Sequence, residues 1–272
     1  MKLVLALFFL LRVSAFAQTG EQFLKSSTSM LANNRRPEPV FLGTTSHQKG
    51  HFDTLSAFAQ NYRARSFYHL WQYDYEKATL WLEKTGDSYP KENGMIGEVY
   101  LRSLKDYPRA IQHFDAYDAL TPNFDDMISH NPVSYMKGLA YRGLTNHTKA
   151  IDQFCMAIDS LTRKHGAEWV NYKQFVSRAV SYIATGQADK ALVDLAQAAK
   201  NFNRSALVTY QRGRALLQLG RTTEARTAFQ DASFFVKALR AERAGDYQED
   251  DFNPIYEEEI DEAISQLKNS NH

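Results

Sequence analysis

The sequence predicts an all-α protein built from repeated helical hairpins. Five times an Ala is followed four residues later by Phe or Leu, in the pairs Ala78/Leu82, Ala110/Phe114, Ala150/Phe154, Ala191/Leu195 and Ala225/Phe229. Successive alanines are 32, 40, 41 and 34 residues apart, and a period of about 34 is typical of stacked helical hairpins. Such an array grows by repeats and presents an extended surface instead of a closed catalytic pocket.

The first 17 residues are predicted to be a secretory signal peptide. Lys2 supplies a short positive start, residues 3–11 are an apolar run, and Ala15-Phe16-Ala17 is a small-x-small cleavage site. The apolar run is shorter than the roughly 20 residues of a membrane span. We therefore expect an exported protein, periplasmic or secreted from a bacterium, with an uncleaved amphipathic anchor as the alternative.

Residues 18–58 form an N-terminal segment whose structure the sequence leaves uncertain. A short amphipathic helix is possible over residues 21–31, but Pro37 and Pro39 break the pattern that follows. From Asp53, a plausible helix N-cap, the pattern becomes helical.

The later hairpins are the clearest in the sequence. A helix over residues 206–219 is followed by Gly220 and a return helix over residues 222–237. One repeat earlier, residues 172–185 are followed by Gly186 and a helix over residues 188–200. Each glycine is placed to end a first helix in the left-handed conformation.

These hairpins resemble the tetratricopeptide repeat (TPR) family in their pattern of small and large residues. The first helix of the family carries a small residue and then a large one three positions later, here Gly213/Leu216, Ala179/Tyr182 and Gly138/Tyr141. The second helix carries Ala, then an aromatic residue or Leu, then another small residue, here Ala225/Phe229/Ala232, Ala191/Leu195/Ala198 and Ala150/Phe154/Ala157. Small side chains allow two helices to cross closely, and the large residue fills the adjacent groove.

Two upstream hairpins match less well. In one, Ala110, Phe114 and Pro122 fit the pattern, but Glu98 takes the small-residue place and Gly97 stands one residue early. The resemblance implies a right-handed α-solenoid of about five TPR-like hairpins with a C-terminal capping helix. The predicted repeats are residues 59–90, 91–130, 131–171, 172–205 and 206–239, followed by an acidic linker and capping helix over residues 240–272. Longer connections at residues 123–130 and 163–169 account for the wider spacings.

The segment after the last hairpin is strongly acidic. Residues 242–262 hold ten acidic side chains and one Arg, for a net charge of −9. Asn253-Pro254 is predicted to open a helix that runs to about Lys268, with Glu257 to Glu259 near its positive N-terminal end. This segment is either a capping helix or an acidic docking segment for a basic partner.

The sequence offers no catalytic or cofactor-binding pattern. The formal net charge of +1 gives no long-range attraction to nucleic acid. The nearest metal-like spacing, His47 and His51, lies where helical periodicity is weak, and Cys155 is the only cysteine. Since Cys155 follows Phe154 on the apolar side of a helix, we expect it to be a buried small hydrophobic residue. We predict no enzyme, no cofactor, no metal site, no nucleic-acid partner and no integral membrane span.

The resemblance implies that a protein or peptide partner binds on a concave face lined by the first helices. On this chain the predicted partner-binding residues are Arg63, Trp71, Arg102, Tyr135, Arg142, Lys173, Tyr210 and Arg214. Arg and aromatic side chains are typical of binding hot spots. The predicted function is an exported, non-enzymatic scaffold or adaptor whose partner and oligomeric state the sequence does not identify. The alternative is a cell-envelope glycan-binding accessory protein with Trp71 and Trp169 as platforms.

Overall fold

The computed structural model describes residues 54–242 and 248–269, which form eleven α-helices and one two-stranded β-ribbon. The chain divides into two compact units, unit 1 up to Ile96 and unit 2 from Gly97 onward. The predicted signal peptide, residues 1–17, and most of the N-terminal segment over residues 18–58 lie outside the described residues. The all-α class predicted from the sequence is confirmed.

Unit 1 contains one complete hairpin. Helix α1 (Thr54–Trp71) packs against α2 (Tyr75–Ser88), and a short 3-10 turn at Pro90–Glu92 leads into α3 (Asn93–Val99). Ala78 and Leu82 of α2 are fully buried. The predicted pair therefore lies in the interior of the hairpin.

Unit 2 is a stack of hairpins. A π-helical turn at Tyr100–Leu104 leads to α4 (Tyr107–Asp118), and the following helices are α5 (Val133–Gly143), α6 (His147–His165), α7 (Tyr172–Ala184), α8 (Ala188–Asn201), α9 (Ala206–Gln218), α10 (Thr222–Glu242) and α11 (Glu257–Asn269). The hairpins α5/α6, α7/α8 and α9/α10 pack in sequence, with α6 against α7 and α8 against α9.

Each hairpin turns at a residue with positive φ. These residues are Tyr73, Lys105, Thr145, Gly186 and Gly220, with φ of 57°, 54°, 59°, 75° and 73°. Each stands five positions before one of the five alanines. The two glycines were expected there, whereas the other three residues adopt a backbone conformation that costs about 1–2 kcal/mol for an L-residue with a side chain.

In the hairpins α5/α6 and α9/α10, the large residue of the second helix lies directly on a glycine of the first helix. A Cβ atom on Gly138 would lie 2.5 Å from the Phe154 ring, and one on Gly213 would lie 2.6 Å from Phe229. These glycines therefore allow the two backbones to approach closely, as the sequence pattern predicted.

The small residue of the second hairpin is Gly97, and the assignment of that place to Glu98 is corrected. A Cβ atom on Gly97 would lie 2.6 Å from the Phe114 ring, whereas Glu98 is partly exposed and paired with Arg102. The π-helical turn at Tyr100–Leu104 contains the extra residue between Gly97 and the turn, because a π-turn holds one more residue than an α-turn.

Both lengthened connections have regular structure. In the first, strand β1 (Met127–Ile128) pairs antiparallel with β2 (Asn131–Pro132), and Ser129 and His130 between them have positive φ. Positive φ at both central residues is the geometry of a tight type I′ turn. In the second, α6 extends to His165 before a 3-10 turn at Ala167–Trp169.

The last helix caps the stack. Ile260 and Leu267 of α11 are buried against α10, and Arg240 of α10 pairs with Glu257 at 2.8 Å. The expectation that Asn253-Pro254 opens this helix is wrong, because α11 begins at Glu257 and the preceding residues form a loop with a different role.

Candidate functional site

The candidate site is the side of unit 2 formed by the first helices of its hairpins, which we call the first-helix face. It comprises the π-helical turn Tyr100–Leu104 together with α5, α7 and α9. Residues 248–256, which we call the tail loop, contact each of these elements through the hydrogen bonds and ring contacts given below. The site is therefore already occupied by a segment of the same chain.

The tail loop is closed on itself by side chains. The Gln248 side chain donates to the backbone oxygen of Ile255 and accepts from its backbone nitrogen, both at 3.0 Å. Between them the Asn253 backbone nitrogen donates to the Asp250 oxygen at 3.1 Å, which closes a turn. These bonds place Phe252 and Asn253 at the tip of a compact loop.

Glu249 anchors the loop on the N-terminus of α9. Its carboxylate accepts from the Ser205 hydroxyl at 2.5 Å and from the backbone nitrogens of Ala206 and Leu207 at 2.7 and 3.3 Å. A helix N-terminus leaves backbone N–H groups without helical partners and carries a partial positive charge. The Glu249 carboxylate accepts hydrogen bonds from two of these N–H groups and places a negative charge beside the partial positive charge. Glu249 is only 7% exposed.

Asn253 anchors the loop on α5 and α7. Its carbonyl oxygen accepts from the Arg142 guanidinium at 2.6 Å, and its amide donates to the Ser177 hydroxyl at 3.1 Å. Arg142 also donates to the Phe252 backbone oxygen at 2.8 Å. Burial lowers the pKa of Arg142 from its usual value, with Asp250 of the loop acting in the opposite direction. The loop thus provides hydrogen-bond acceptors that replace water around this cation.

Phe252 lies beneath two cations. The Arg102 guanidinium lies 4.6 Å from the centre of its ring, and the Lys105 ammonium lies 5.8 Å from it. Arg102 is held in place by Glu98, whose carboxylate is 2.7 Å away. Cations over an aromatic face are attracted by the negative charge density of the ring.

Three of the predicted partner-binding residues are engaged within the chain. Tyr135 is 4% exposed and its hydroxyl lies 3.2 Å from that of Ser177, so its placement on a partner-binding surface is corrected. Burial raises the pKa of Tyr135 well above its usual range, which keeps the phenol neutral. Arg102 and Arg142 do lie on the first-helix face, but both contact the tail loop.

Arg63, in unit 1, is also engaged within the chain. Its side chain is 8% exposed and pairs with Glu92 at 3.1 Å. A guanidinium this deeply buried supports the packing of unit 1 and offers little surface to a partner. Its expected role on a binding face is therefore corrected as well.

The remaining four predicted residues are accessible. Trp71, at the end of α1, is 58% exposed. Lys173 and Tyr210 are partly exposed on α7 and α9, and Arg214 is exposed on α9, where it donates to Gln211 at 3.1 Å. Whether these residues bind a partner stays a prediction.

Sequence reasoning missed the residues that dock the tail loop. Glu249, Phe252 and Asn253 belong to the segment that was interpreted as an acidic linker, and Ser177 falls between the positions of the family pattern. One signal was present: Phe252 is an apolar residue directly after three acidic ones, just before Asn253-Pro254. In the structure Phe252 is partly buried, with the Arg102 guanidinium over its ring.

Cys155 differs from its prediction as a buried small hydrophobic residue. It is a partly exposed free thiol, and its sulfur accepts a hydrogen bond from Arg178 at 3.3 Å. Arg178 also forms two bonds to Asp194, at 2.7 and 2.8 Å. Cys155 therefore lies at the edge of a polar cluster between α6, α7 and α8.

The part of the chain that the structure describes shows neither a metal-binding cluster nor a membrane-spanning helix. No group of three or more His, Cys, Asp or Glu side chains is arranged there to hold a metal ion. Within the same residues, no helix combines the length and apolar character needed to cross a membrane. His47 and His51 lie outside the described range.

Comparisons with known proteins agree on the repeat. A tetratricopeptide repeat family model matches residues 176–234. A crystal structure of MamA protein is 16% identical, with a TM-score of 0.55, and covers 71% of this chain and 98% of that one. MamA from Desulfovibrio magneticus RS-1, residues 41 to the end, is 18% identical, with a TM-score of 0.52, and covers 68% of this chain and 97% of that one. No curated protein matches. At these identities the structural likeness shows the fold.

Proposed function

We propose that this chain, a tetratricopeptide repeat protein, is a non-enzymatic scaffold that binds a protein or peptide partner on its first-helix face. One observation carries the proposal: that face already holds a short polypeptide loop through a carboxylate, an amide and an aromatic ring. A surface that orders nine residues of its own chain has the donors and cations needed to recognise polypeptide.

The accessible part of the face supplies the test. Lys173→Glu combined with Arg214→Glu reverses two charges on α7 and α9 without touching a tail-loop contact given above. We expect this double variant to lose partners that the wild type captures from an extract of the native host. The matched control is Lys190→Glu with Lys200→Glu, which makes the same charge change on the second helix α8.

The two variants distinguish binding on the first-helix face from a general effect of the changed charge. Loss of a partner in the first variant and retention in the control supports binding on the first-helix face. The same partners in all three proteins would contradict it. Both variants should be compared with the wild type by circular dichroism, so that loss of binding is not loss of folding.

We also propose that the scaffold is exported, on the basis of the predicted signal peptide over residues 1–17. Cleavage after Ala17 would leave Gln18 as the first residue. Mass spectrometry of the protein recovered from the periplasm or the medium should then give a chain that begins at Gln18. A cytoplasmic protein that begins at Met1 would contradict export.

Glycan binding is the second candidate, supported by exposed aromatic side chains at the α1–α2 turn. Trp71, Tyr73 and Tyr75 are 58%, 78% and 51% exposed, and the rings of Tyr73 and Tyr75 lie 6.4 Å apart. Exposed aromatic rings can support the apolar faces of sugars. Retention on a polysaccharide array that Trp71→Ala abolishes would favour this function, and absence of retention on every sugar would remove it.

A further inference from the structure

We propose that the tail loop occupies the binding site of a partner protein. The partner presents a similar acidic turn, which binds at this site by displacing the tail loop. This inference rests on the proposed scaffold function and specifies its partner. The partner is a protein loop that carries a carboxylate, then an aromatic ring three residues later, and an Asn directly after the ring. Glu249, Phe252 and Asn253 provide this pattern in the chain itself.

The receptor for this turn has three separate subsites. The N-terminus of α9, with Ser205, holds the carboxylate. Arg102 and Lys105 hold the aromatic ring. Arg142 and Ser177 hold the amide. Because the three subsites lie on different hairpins, only a ligand with the right spacing between its groups can fill all of them.

Charge complementarity favours an acidic occupant. The loop carries Glu249, Asp250 and Asp251, whereas the face beneath it presents Arg102, Lys105 and Arg142. Release of the loop would uncover the Arg142 guanidinium and the N-terminus of α9 beside Lys105, which is already exposed, and Arg102, which is partly exposed and paired with Glu98. Such a surface attracts carboxylates and repels a basic partner, so the sequence-based expectation of a basic partner for the acidic segment is not the one the geometry favours.

The loop can leave without removing the cap. Helix α11 has its own attachments to α10, through buried Ile260 and Leu267, the pairing of Glu257 with Arg240, and the bond from Arg226 to the Leu267 oxygen at 2.6 Å. The loop lies between these attachments and the end of α10, and its contacts with the first-helix face are separate from them. Displacement therefore does not require unfolding of the last hairpin.

The tail loop is tethered to its receptor and therefore competes strongly with a partner for the site. This competition limits the kind of partner that can displace the loop. A short tether gives the loop an effective concentration in the millimolar range. A flexible peptide must also lose the entropy of forming the turn, which Gln248 reduces for the resident loop by joining its ends. The structure therefore favours a partner that presents a preformed turn over one that presents a disordered tail.

The experiment uses the full chain and a cyclic probe. Glu249→Ala, Phe252→Ala and Asn253→Ala are combined to detach the loop while every receptor residue is retained. The probe is a fluorescein-labelled peptide of residues 248–256, cyclised head to tail to imitate the closure by Gln248. Fluorescence anisotropy then gives its affinity for each protein.

We expect the probe to bind the loop-detached variant at least about tenfold more tightly than the wild type, because the tethered competitor has been removed. The linear peptide should bind about tenfold more weakly than the cyclic one, since it must order itself. Adding Arg142→Ala to the loop-detached variant should weaken the probe by a further factor of about ten. A cyclic peptide of scrambled sequence is the matched control.

Several results would overturn the proposal. These are no binding of the probe to a folded loop-detached variant, equal binding of the scrambled peptide, and binding that Arg142→Ala leaves unchanged. If the triple variant does not fold by circular dichroism, Phe252→Ala alone is used with the same criteria. Failure of the probe together with partner loss in Lys173→Glu/Arg214→Glu would leave the scaffold function intact and make the loop a structural element.

Discussion

In the hairpins α5/α6 and α9/α10 the two helices meet through apolar groups, whereas the first-helix face meets the tail loop largely through polar ones. Phe154 and Phe229 lie on glycines without a polar atom at the contact. Glu249 and Asn253 are buried too, but each makes several hydrogen bonds. We call the apolar contacts that recur between the helices of the hairpins the apolar layer, and the contacts between the first-helix face and the tail loop the polar layer. The apolar layer supports the hairpins, whereas the polar layer is selective for the segment that it holds.

The largest expected effect is in the apolar layer. Phe229→Ala removes a ring that is 1% exposed and leaves a cavity over Gly213, so it should lower the free energy of unfolding by about 3–5 kcal/mol. Urea denaturation measures the change. Phe234→Ala on the same helix is the control, since this ring is 66% exposed and its loss should cost less than about 0.5 kcal/mol. Equal effects would contradict the assignment of Phe229 to the packing layer.

A smaller effect is expected in the polar layer. Asn253→Ala removes the bonds to Arg142 and Ser177 and leaves both partly unsatisfied, at a cost of about 1–3 kcal/mol. The control is Asp251→Ala, an exposed residue of the same loop, which should change stability by less than about 0.5 kcal/mol. If Asn253→Ala has no more effect than Asp251→Ala in urea denaturation, the loop does not dock as described.

A substitution that removes the charge of Glu249 tests one contact of the polar layer by itself. Glu249→Gln keeps the shape of the side chain but removes the charge at the N-terminus of α9, so it should cost about 1 kcal/mol. Glu258→Gln, in the exposed first turn of α11, should cost only about 0.3 kcal/mol. Thermal unfolding at two salt concentrations sharpens the test. High salt should reduce the effect at Glu258 and leave the effect at the buried Glu249 largely unchanged.

The smallest effect is an increase in stability. It is expected at the α5–α6 turn, which belongs to neither the apolar nor the polar layer. Thr145 turns the α5/α6 hairpin with φ of 59°, so Thr145→Gly relieves backbone strain but loses conformational entropy. We expect a net gain of about 0.5 kcal/mol from these opposing effects. Met156→Gly, in the middle of α6 where the side chain is 52% exposed, should instead destabilise by about 1 kcal/mol. A loss of stability in Thr145→Gly, measured by urea denaturation, would show that the Thr side chain supports one of the layers.

Prediction from the sequence succeeded where the chain repeats a local pattern. The pairing of Phe154 with Gly138 follows from spacing on two adjacent helices, because a close crossing needs a small residue opposite a large one. The prediction placed the small residue of the second hairpin one position after Gly97. The reason is that a π-helical turn shifts the helix periodicity, and the sequence carries no clear signal for such a turn. The prediction also missed the left-handed conformation of Tyr73, Lys105 and Thr145, because only glycine signals that conformation clearly.

The candidate site was predicted less well, for a different physical reason. The family pattern located Arg102 and Arg142 on the first helices, where the structure has them, but Arg142 donates to Asn253, 111 residues away along the chain. No local periodicity encodes a contact between a repeat and a segment that does not repeat. Burial of Tyr135 likewise depends on what covers α5, which the sequence of α5 does not contain.

The sequence by itself determined the all-α repeat, the apolar pairs that hold each hairpin together and the positions of two of its turns. These features depend on interactions over a few turns of helix, where side-chain type and spacing are sufficient. Only the tertiary structure decided that the acidic segment divides into a capping helix and a loop that fills the first-helix face. That decision depends on whether buried carboxylate and amide groups find partners in three dimensions, because a polar group without a partner would stay in water.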